Sequence, residues 1–405
     1  MKKFKIITLG CRTNQYESQG YADQLRSLGY ERAEEGEAAD VCIVNTCTVT
    51  DGADRSSRQE IRRIQRENPG ARLAVTGCMV ESHPEAVGEG VLLVKNQEKE
   101  SLIEKLFPEE ENLPEFEIRA FDGHTRAFVK VQDGCNSFCT YCIIPYVRGR
   151  SRSRSIDSVL EEVRGLVKSG YLEVVITGIN VGDFDGGGNL ADLVRAVDQV
   201  EGLKRLRISS IDPDEVGDEL LHAVMNGKTT CPSMHLVLQS GSNVVLKRMN
   251  RKYTKQIFLE TFYRLKAHNP DFTATTDVIV GFPGETESDF EETVQIVKEV
   301  KFARVHIFPY SPRKKTRAAL YPNQVPQQVL QERKARLARE AERAAFELRQ
   351  EFVGRKMEVL VEGGNEGHTM NFLPVLFPND SVPAGQIVIC ELVENRPDGL
   401  VGRIL

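Results

Sequence analysis

Two stretches of this 405-residue sequence alternate short apolar segments with amphipathic helical segments. This alternation is typical of a parallel sheet that is covered by helices on both faces. The first stretch gives predicted strands at residues 5–9, 41–44, 72–76 and 91–94, and predicted helices at 15–28 and 53–66. We therefore predict an N-terminal parallel α/β sheet domain over residues 1–107.

The second stretch begins after an acidic, irregular segment at residues 108–125, which we interpret as a linker. Predicted strands lie at residues 127–131, 173–177, 205–208, 235–238, 273–280 and 303–308, and predicted helices, among them 215–225, separate them. Six strands that alternate with helices predict a partial (β/α)6 barrel over residues 126–328. In such barrels the functional face lies at the carboxyl ends of the strands.

The last part of the chain changes character. Residues 329–352 form a predicted charged helix that connects the barrel to the C-terminal segment. Residues 353–405 contain short predicted strands at 357–361, 370–376, 386–392 and 400–405, separated by Gly, Asn and Pro. This pattern predicts a small β-barrel, an architecture that often binds nucleic acids.

Cys135, Cys139 and Cys142 follow the first predicted strand of the barrel with the spacing CxxxCxxC. A 4Fe-4S cluster is normally held by four thiolates, so three cysteines would leave one iron free for chemistry. A zinc knuckle is the alternative, but zinc sites of this kind take four protein ligands from two hooks. No fourth Cys or His stands beside this loop at hook spacing. The pattern therefore favours a 4Fe-4S cluster.

Cys11, Cys47 and Cys78 each follow one of the first three predicted strands. The carboxyl ends of parallel strands meet at one edge of the sheet, where ligands bind. We therefore predict that these three thiolates hold a second cluster. Cys42, Cys231 and Cys390 have no partner at ligand spacing, so we expect buried structural roles for them.

Polar residues and glycines recur at the predicted carboxyl ends of the barrel strands. We expect the following to contact a cofactor: Gly178, Asn180, Ser209, Gln239, Ser240, Asp277 and Gly281. Glycine lets a ligand approach the backbone, and the polar side chains offer hydrogen bonds to an amino acid moiety or a ribose. Asp277 is also a candidate catalytic residue. We interpret His235 and His306, which stand in apolar strands, as structural core residues.

Basic residues concentrate in two loops that should lie on the functional face. They are Arg148, Arg150, Arg152 and Arg154 after the cysteine loop, and Arg313, Lys314, Lys315 and Arg317 after the last strand. Arginine binds phosphate as a bidentate fork, so these loops suit an RNA backbone, although a solvated run of charge gives the same pattern. The net charge of −6 excludes a uniformly basic surface, so any RNA contact must come from local patches.

Composition indicates the compartment. Nine cysteines, an odd number in a long chain, argue against a disulfide framework and for metal use in a reducing environment. No apolar run approaches the roughly 18 residues that a membrane span needs. We therefore expect a cytoplasmic protein without a membrane partner.

The sequence resembles the radical S-adenosylmethionine methylthiotransferases over essentially its whole length. The motifs that carry the resemblance are Leu9-Gly10-Cys11, Asn45-Thr46-Cys47, Thr76-Gly77-Cys78, the CxxxCxxC loop with Ile143-Ile144-Pro145, Thr177-Gly178-Ile179-Asn180, and Gly281-Phe282-Pro283-Gly284. The resemblance implies a radical S-adenosylmethionine barrel and a C-terminal RNA-binding barrel of the TRAM type.

For the site, the resemblance implies that Cys135, Cys139 and Cys142 hold a 4Fe-4S cluster whose open iron chelates S-adenosylmethionine. It implies that Cys11, Cys47 and Cys78 hold an auxiliary 4Fe-4S cluster, whose open iron carries the sulfur to be methylated. Two molecules of S-adenosylmethionine would be used per turnover, one as methyl donor and one as radical source. A tRNA substrate and an electron donor protein are implied as partners, and we expect a monomer.

The opening motif also indicates a branch of this family. Asn14-Gln15-Tyr16-Glu17 resembles the branch that acts on N6-threonylcarbamoyladenosine next to the tRNA anticodon, whereas other branches tend toward Asp-Ser-Glu here. The branch that acts on isopentenyladenosine is the alternative. A non-catalytic iron-sulfur electron carrier or RNA-binding protein is the alternative from a different class.

Overall fold

A computed structural model of the chain describes residues 2–378 and 382–405. Its N-terminal part is a five-stranded, all-parallel sheet with the strand order β2-β1-β3-β4-β5. The strands are β1 (Lys3–Thr8), β2 (Glu31–Arg32), β3 (Val41–Thr46), β4 (Arg72–Gly77) and β5 (Leu92–Val94). The helices are α1 (Arg12–Ser27), α2 (Asp51–Glu67), α3 (Cys78–Ser82) and α4 (Leu102–Leu106).

Local sequence explains these elements. All six residues of β3 are buried, and its β-branched side chains suit a strand that is covered on both faces. The Thr50 side chain accepts a hydrogen bond from the Ala53 N–H and caps α2. The four predicted strands and two predicted helices are found within a few residues of their predicted limits.

The central part is a six-stranded parallel sheet with the order β13-β12-β11-β10-β9-β6. Its strands are β6 (Arg126–Lys130), β9 (Glu173–Thr177), β10 (Arg205–Ile211), β11 (Thr230–Leu236), β12 (Thr273–Val280) and β13 (Arg304–Pro309). A two-stranded ribbon pairs β7 (Gln132–Asp133) with β8 (Arg152–Ser153). The helices are α5 (Ile144–Val147), α6 (Ile156–Lys168), α7 (Leu190–Asp198), α8 (Asp218–Met225), α9 (Asn243–Arg248), α10 (Lys255–His268) and α11 (Glu287–Val300).

This sheet confirms the predicted partial barrel. The main hydrophobic core lies between its strands and helices α6, α7, α8, α10 and α11. The helix predicted at 215–225 begins only at Asp218, because Asp212 and Glu215 form a capping box around the short turn that Pro213 starts. The segment predicted as a linker is packed rather than loose, since Phe116 contacts the rings of Tyr16 and Tyr21.

Helix α12 (Gln327–Gln350) leads to a closed five-stranded barrel with the order β14-β15-β16-β18-β17. The strands are β14 (Lys356–Gly363), β15 (Glu366–Thr369), β16 (Pro374–Leu376), β17 (Ile387–Arg396) and β18 (Gly399–Ile404). The predicted small β-barrel is therefore confirmed. The strand predicted at 370–376 is wrong in its first half, because the Thr369 side chain accepts from the Leu373 N–H and closes a turn there.

The small barrel covers the amino ends of the central strands. Arg205, the first residue of β10, donates to the carbonyl oxygens of Glu358 and His368. Arg126, the first residue of β6, forms an ion pair with Glu362 at 2.8 Å. The carboxyl ends of the central strands face away from the small barrel, and the N-terminal domain packs on that side through α1 and α3. None of the described helices is long and apolar enough to cross a membrane.

Candidate active site

The CxxxCxxC loop joins the β7 strand to helix α5 at the carboxyl edge of the central sheet. Gly134 has a φ of +73°, and a side chain there would collide with the carbonyl oxygen of Arg150. The chain thus needs glycine where it turns into the loop. The Ser137 N–H donates to the Cys135 Sγ atom at 3.4 Å, which fixes the first cysteine.

Arg251 reaches this loop from the segment after α9. Its Nη1 atom donates to the Cys139 Sγ atom at 3.1 Å. Asp212 forms an ion pair with the same guanidinium, and the centre of the Tyr253 ring lies 4.8 Å from it. The sequence did not predict this contact, because Arg251 stands 112 residues from Cys139 and belongs to no motif that is typical of a sulfur contact.

The N-terminal triad lies at the carboxyl edge of the first sheet, as predicted. Gly10 has a φ of +96°, and a Cβ atom there would lie 3.0 Å from the Cys47 Sγ atom. Gly77 has a φ of +100°, and a side chain there would collide with the Thr46 backbone. The glycines before Cys11 and Cys78 thus let the three loops approach one another closely.

The two cysteine sets meet at the interface between the N-terminal domain and the central domain. Cys78 and Cys135 belong to one buried cluster with Ile143, Ile144 and Val147. Cys142 packs against the same cluster. The Asn96 side chain also crosses this interface, donating to the Val147 carbonyl oxygen at 2.6 Å. Both cysteine sets therefore lie beside one apolar wall, a proximity that strand ends alone do not reveal.

The spacing of the sulfurs fits clusters better than single ions. Tetrahedral zinc with Zn–S bonds of about 2.3 Å would bring its sulfurs to within about 3.8 Å of one another. In the described part of the chain, no three cysteine sulfurs lie within 4.8 Å of one another. A 4Fe-4S cluster places its thiolates on separate irons, so wider spacing suits it.

Burial favours the protonated form of the thiols. It raises the pKa of Cys47 to about 11, and it raises the pKa of Cys78 and Cys135 as well. Thiolates are the form that binds iron, so cluster assembly must displace these protons. Cys42, Cys231 and Cys390 are buried too, away from both triads, in keeping with structural roles.

A buried ionic network lies behind the interface. Arg148 is 1% exposed and contacts Glu17 at 3.2 Å and Asp133 at 2.8 Å. Lys99 also forms an ion pair with Glu17. These cations hold the pKa of Glu17 well below its usual range, against the opposing effect of burial. The network joins α1 of the first domain to the loop that carries the CxxxCxxC cysteines.

Asp277 and Gln239 face a cavity of about 180 Å³ that Cys142 also lines. Gln239 adopts a φ of +60°, and its N–H donates to the Asp277 carbonyl oxygen at 2.8 Å. This backbone hydrogen bond holds the two residues side by side at the strand ends. Their placement agrees with the prediction that they contact a cofactor, which stays a prediction.

The other predicted cofactor contacts divide into two groups. Gly178, Asn180 and Ser209 lie at or near the strand ends, where Asn180 donates to Glu215 at 2.9 Å, and their role stays a prediction. For Ser240 and Gly281 the cofactor contact also stays a prediction. Ser240 is fully buried and accepts from the Ser242 N–H, and Gly281 packs against Leu330 of α12, so neither lines the cavity that contains Cys142.

Two of the predicted RNA contacts are wrong, because their guanidinium groups are buried inside the protein. Arg148 belongs to the buried network, and Arg313 is 7% exposed and pairs with Asp54 at 2.6 Å. Arg154 pairs with Glu162 but is partly exposed, so its RNA contact stays a prediction. The remaining predicted contacts are exposed: Arg150, Arg152, Lys314, Lys315 and Arg317. The spacing of these arginines in the sequence does not indicate which side chains are buried.

His235 and His306 are not core residues, contrary to the prediction. Both line a second cavity inside the half-barrel, and their rings lie 6.0 Å apart. The His235 Nε2 atom lies 3.4 Å from the Asp277 carboxylate. Inward-facing positions of a closed barrel are filled by side chains, whereas this open sheet leaves space between them.

An arginine face on α2 was also missed by sequence reasoning. Arg55, Arg58, Arg62 and Arg66 line one groove along this helix. Arg58 also lines the neighbouring pocket that contains Lys314 and Lys315. Helical spacing of three and four residues places such side chains on one face, and that spacing could have revealed it.

Comparisons with known proteins agree with this architecture. Residues 129–297 match the Radical SAM superfamily, and residues 3–95 match the Uncharacterized protein family UPF0004. The fold is similar to that of the radical S-adenosylmethionine methyltransferase TsrM from Kitasatospora setae, with a TM-score of 0.57 and 15% identity over 77% of each chain.

Two curated relatives cover nearly the whole chain. Threonylcarbamoyladenosine tRNA methylthiotransferase MtaB of Chlamydia pneumoniae is 49% identical over 99% of this chain and 98% of its own length. The tRNA-2-methylthio-N(6)-dimethylallyladenosine synthase of Moorella thermoacetica is 38% identical over 100% of this chain and 98% of its own.

The half-barrel, the CxxxCxxC loop and these matches define a radical S-adenosylmethionine enzyme, a class that binds S-adenosylmethionine and a 4Fe-4S cluster. Within that class, the chain belongs to the threonylcarbamoyladenosine tRNA methylthiotransferase family.

Proposed function

We propose that this enzyme converts N6-threonylcarbamoyladenosine next to the tRNA anticodon into its 2-methylthio derivative. The observation that carries the proposal is the meeting of two cysteine sets at one interface, with Cys78 and Cys135 in the same buried cluster. The substrate assignment is supported by the higher identity to the threonylcarbamoyladenosine relative than to the dimethylallyladenosine relative.

Each cysteine set would hold one 4Fe-4S cluster. Cys135, Cys139 and Cys142 would hold the first, and Cys11, Cys47 and Cys78 the second. When bound, the first supplies the electron that cleaves S-adenosylmethionine, and the second supplies a place for the sulfur that is methylated. Two molecules of S-adenosylmethionine would be used per turnover, as radical source and as methyl donor.

The protein's own residues would position these groups and exclude water. Ile143, Ile144 and Val147 form the apolar wall between the cysteine sets. A reactive radical must meet its target before it meets water, so a dry wall suits this chemistry. Asp277 and Gln239 would orient S-adenosylmethionine from the cavity that Cys142 lines.

The tRNA backbone would bind the exposed basic groups near this interface. Arg150, Arg152 and Arg317 are exposed, and the lysines Lys314 and Lys315 share a pocket with Arg58 of the α2 arginine face. Phosphate contacts of this kind position an RNA without reading its sequence. The small β-barrel would add a further RNA surface.

The remaining partners follow from the reaction. Reductive cleavage of S-adenosylmethionine needs an external electron, so we infer an electron donor protein. Both cysteine sets come from one chain, so a monomer would suffice. A tRNA substrate also implies a reaction in the cytoplasm.

Nucleoside mass spectrometry tests the substrate. In tRNA from cells that lack this protein, the 2-methylthio form of N6-threonylcarbamoyladenosine should be absent, and the wild-type gene should restore it. A Cys135→Ala gene should not restore it. Loss of the 2-methylthio isopentenyl nucleoside instead would move the enzyme to the other branch. Failure of the reconstituted protein to release 5′-deoxyadenosine under reduction would indicate a non-catalytic carrier.

A further inference from the structure

The half-barrel contains a second cavity of about 100 Å³ below the strand ends. Its walls come from the inner faces of β9 to β13, its floor is Phe372 of the small barrel, and Arg12 of α1 also lines it. The cavity thus lies where all three parts of the chain meet. Nothing in the proposed cluster chemistry uses it.

Four arginines contribute to the lining of this cavity. Arg12, Arg126, Arg207 and Arg304 all line it. Arg126 is paired with Glu362 and Arg207 with Glu173. In the described ranges, Arg12 and Arg304 form no ion pair with any carboxylate, and both residues are open to solvent, so a ligand can reach them. Two arginines that face one small cavity without an anion suit an anionic ligand.

A metal ion suits the cavity less well, although His235, Asp277 and His306 offer ligand atoms within 4.8 Å of one another. The His235 Nδ1 atom is already engaged with the Thr275 hydroxyl at 2.9 Å. The surrounding guanidinium groups would repel a cation. The two histidines and Asp277 serve better as hydrogen-bonding groups for a polar ligand.

The cavity is adjacent to the reaction site on two sides. Asp277 touches His235 in this cavity and also lines the cavity that contains Cys142. Arg12 directly follows Cys11, a residue of the N-terminal triad. A nucleoside held between the two cysteine sets could therefore extend a substituent into this space.

We propose that Arg12 and Arg304 bind the carboxylate of the substrate's threonyl group. This inference rests on the proposed function. Of the two substrates considered, only the threonylcarbamoyl group ends in a carboxylate, whereas the isopentenyl group is apolar. The cavity would therefore select the substrate by charge.

Equilibrium binding of synthetic anticodon stem-loops to the cluster-loaded enzyme, without reductant, tests the proposal. One RNA carries N6-threonylcarbamoyladenosine and the other carries its methyl ester, which lacks the negative charge. The wild type should prefer the acid by roughly ten- to a hundredfold, the range expected for a hydrogen-bonded charge. Arg12→Gln and Arg304→Gln should each bring this ratio toward one, and Arg12→Lys should keep part of it.

Arg164→Gln, an exposed change on α6, is the matched control and should keep the wild-type ratio. The iron content of each variant shows whether the change beside Cys11 has disturbed a cluster. Equal binding of acid and ester by the wild type, or equal weakening of both by the variants, would overturn the proposal. Formation of the methylthio product is measured in a separate assay. If the wild type prefers the acid but forms no methylthio product, the proposed function is wrong while the binding proposal stands.

Discussion

The Oε1 atom of Glu17 and the Nη1 atom of Arg148 lie 3.2 Å apart, and both side chains are almost fully buried. Glu17 belongs to α1 of the N-terminal domain, and Arg148 follows the CxxxCxxC loop of the central domain. The pair therefore joins helix α1, which follows Cys11, to the segment that follows the CxxxCxxC loop. We therefore expect this ion pair to help fix the position of one cysteine set relative to the other.

Glu17→Gln should destabilise the protein strongly. It leaves Arg148 and Lys99 without their shared carboxylate, and breaking a buried pair costs about 3–5 kcal/mol. Urea unfolding under anaerobic conditions measures the change in the free energy of unfolding. Glu347→Gln is the control, because it removes an exposed partner of Arg343 and should cost less than about 1 kcal/mol. Equal destabilisation in both variants would contradict the role of the buried pair.

Glu215 should make stability depend on pH near neutrality. Burial raises the pKa of Glu215 to about 7, and the nearby Asp212 adds to the effect. The folded state then holds this proton more tightly than the unfolded state, whose glutamate has a pKa of about 4.3. Stability should therefore fall as the pH rises from about 5 to 7. Urea unfolding at a series of pH values measures the free energy of unfolding, which should depend less on pH in the Glu215→Gln variant than in the wild type. The same pH dependence in both proteins would show that Glu215 is not the group responsible.

Arg251→Ala should lower the reduction potential of the cluster that we propose for Cys135, Cys139 and Cys142. The guanidinium donates to the Cys139 Sγ atom, and a positive hydrogen-bond donor favours the reduced, more negative cluster. We expect a shift on the order of 60 mV, which is about a tenfold change for one electron. A redox titration followed by electron paramagnetic resonance measures it. Arg251→Lys keeps the positive charge, so its reduction potential should stay close to that of the wild type. A wild-type potential in Arg251→Ala would show that Arg251 does not tune the cluster.

The α2 arginine face should contribute to the salt dependence of tRNA binding. Arg62 and Arg66 are exposed and line its groove. Replacing both with Gln should reduce the slope of log K against log salt by about one for each phosphate that is no longer neutralised. Arg164→Gln should leave the slope unchanged. An unchanged slope in the double variant would place the RNA elsewhere.

The sheets and both cysteine sets were predictable from the sequence, because periodicity and strand ends are local properties. Cys11, Cys47 and Cys78 follow their strands in the structure as predicted. The small barrel was predictable too, although Thr369 closes a turn inside one predicted strand. Such a turn depends on a side-chain hydrogen bond that periodicity does not register.

The fate of individual polar side chains was not predictable in the same way. Arg148 and Arg150 are two residues apart, yet one is buried in an ionic network and the other is exposed. The difference arises from Glu17, which stands 131 residues away in sequence. His235 and His306 line a cavity for a similar reason, since the open sheet brings distant strands around an unfilled space.

Iron and sulfide content per chain tests the central claim that two triads hold two separate clusters. The reconstituted wild type should contain about eight irons, and Cys11→Ala and Cys135→Ala should each lose about four while keeping the rest. Of the two variants, Cys11→Ala should still release 5′-deoxyadenosine from S-adenosylmethionine under reduction, and Cys135→Ala should not. A wild type that takes up about four irons, or a single change that removes all the iron, would contradict the account.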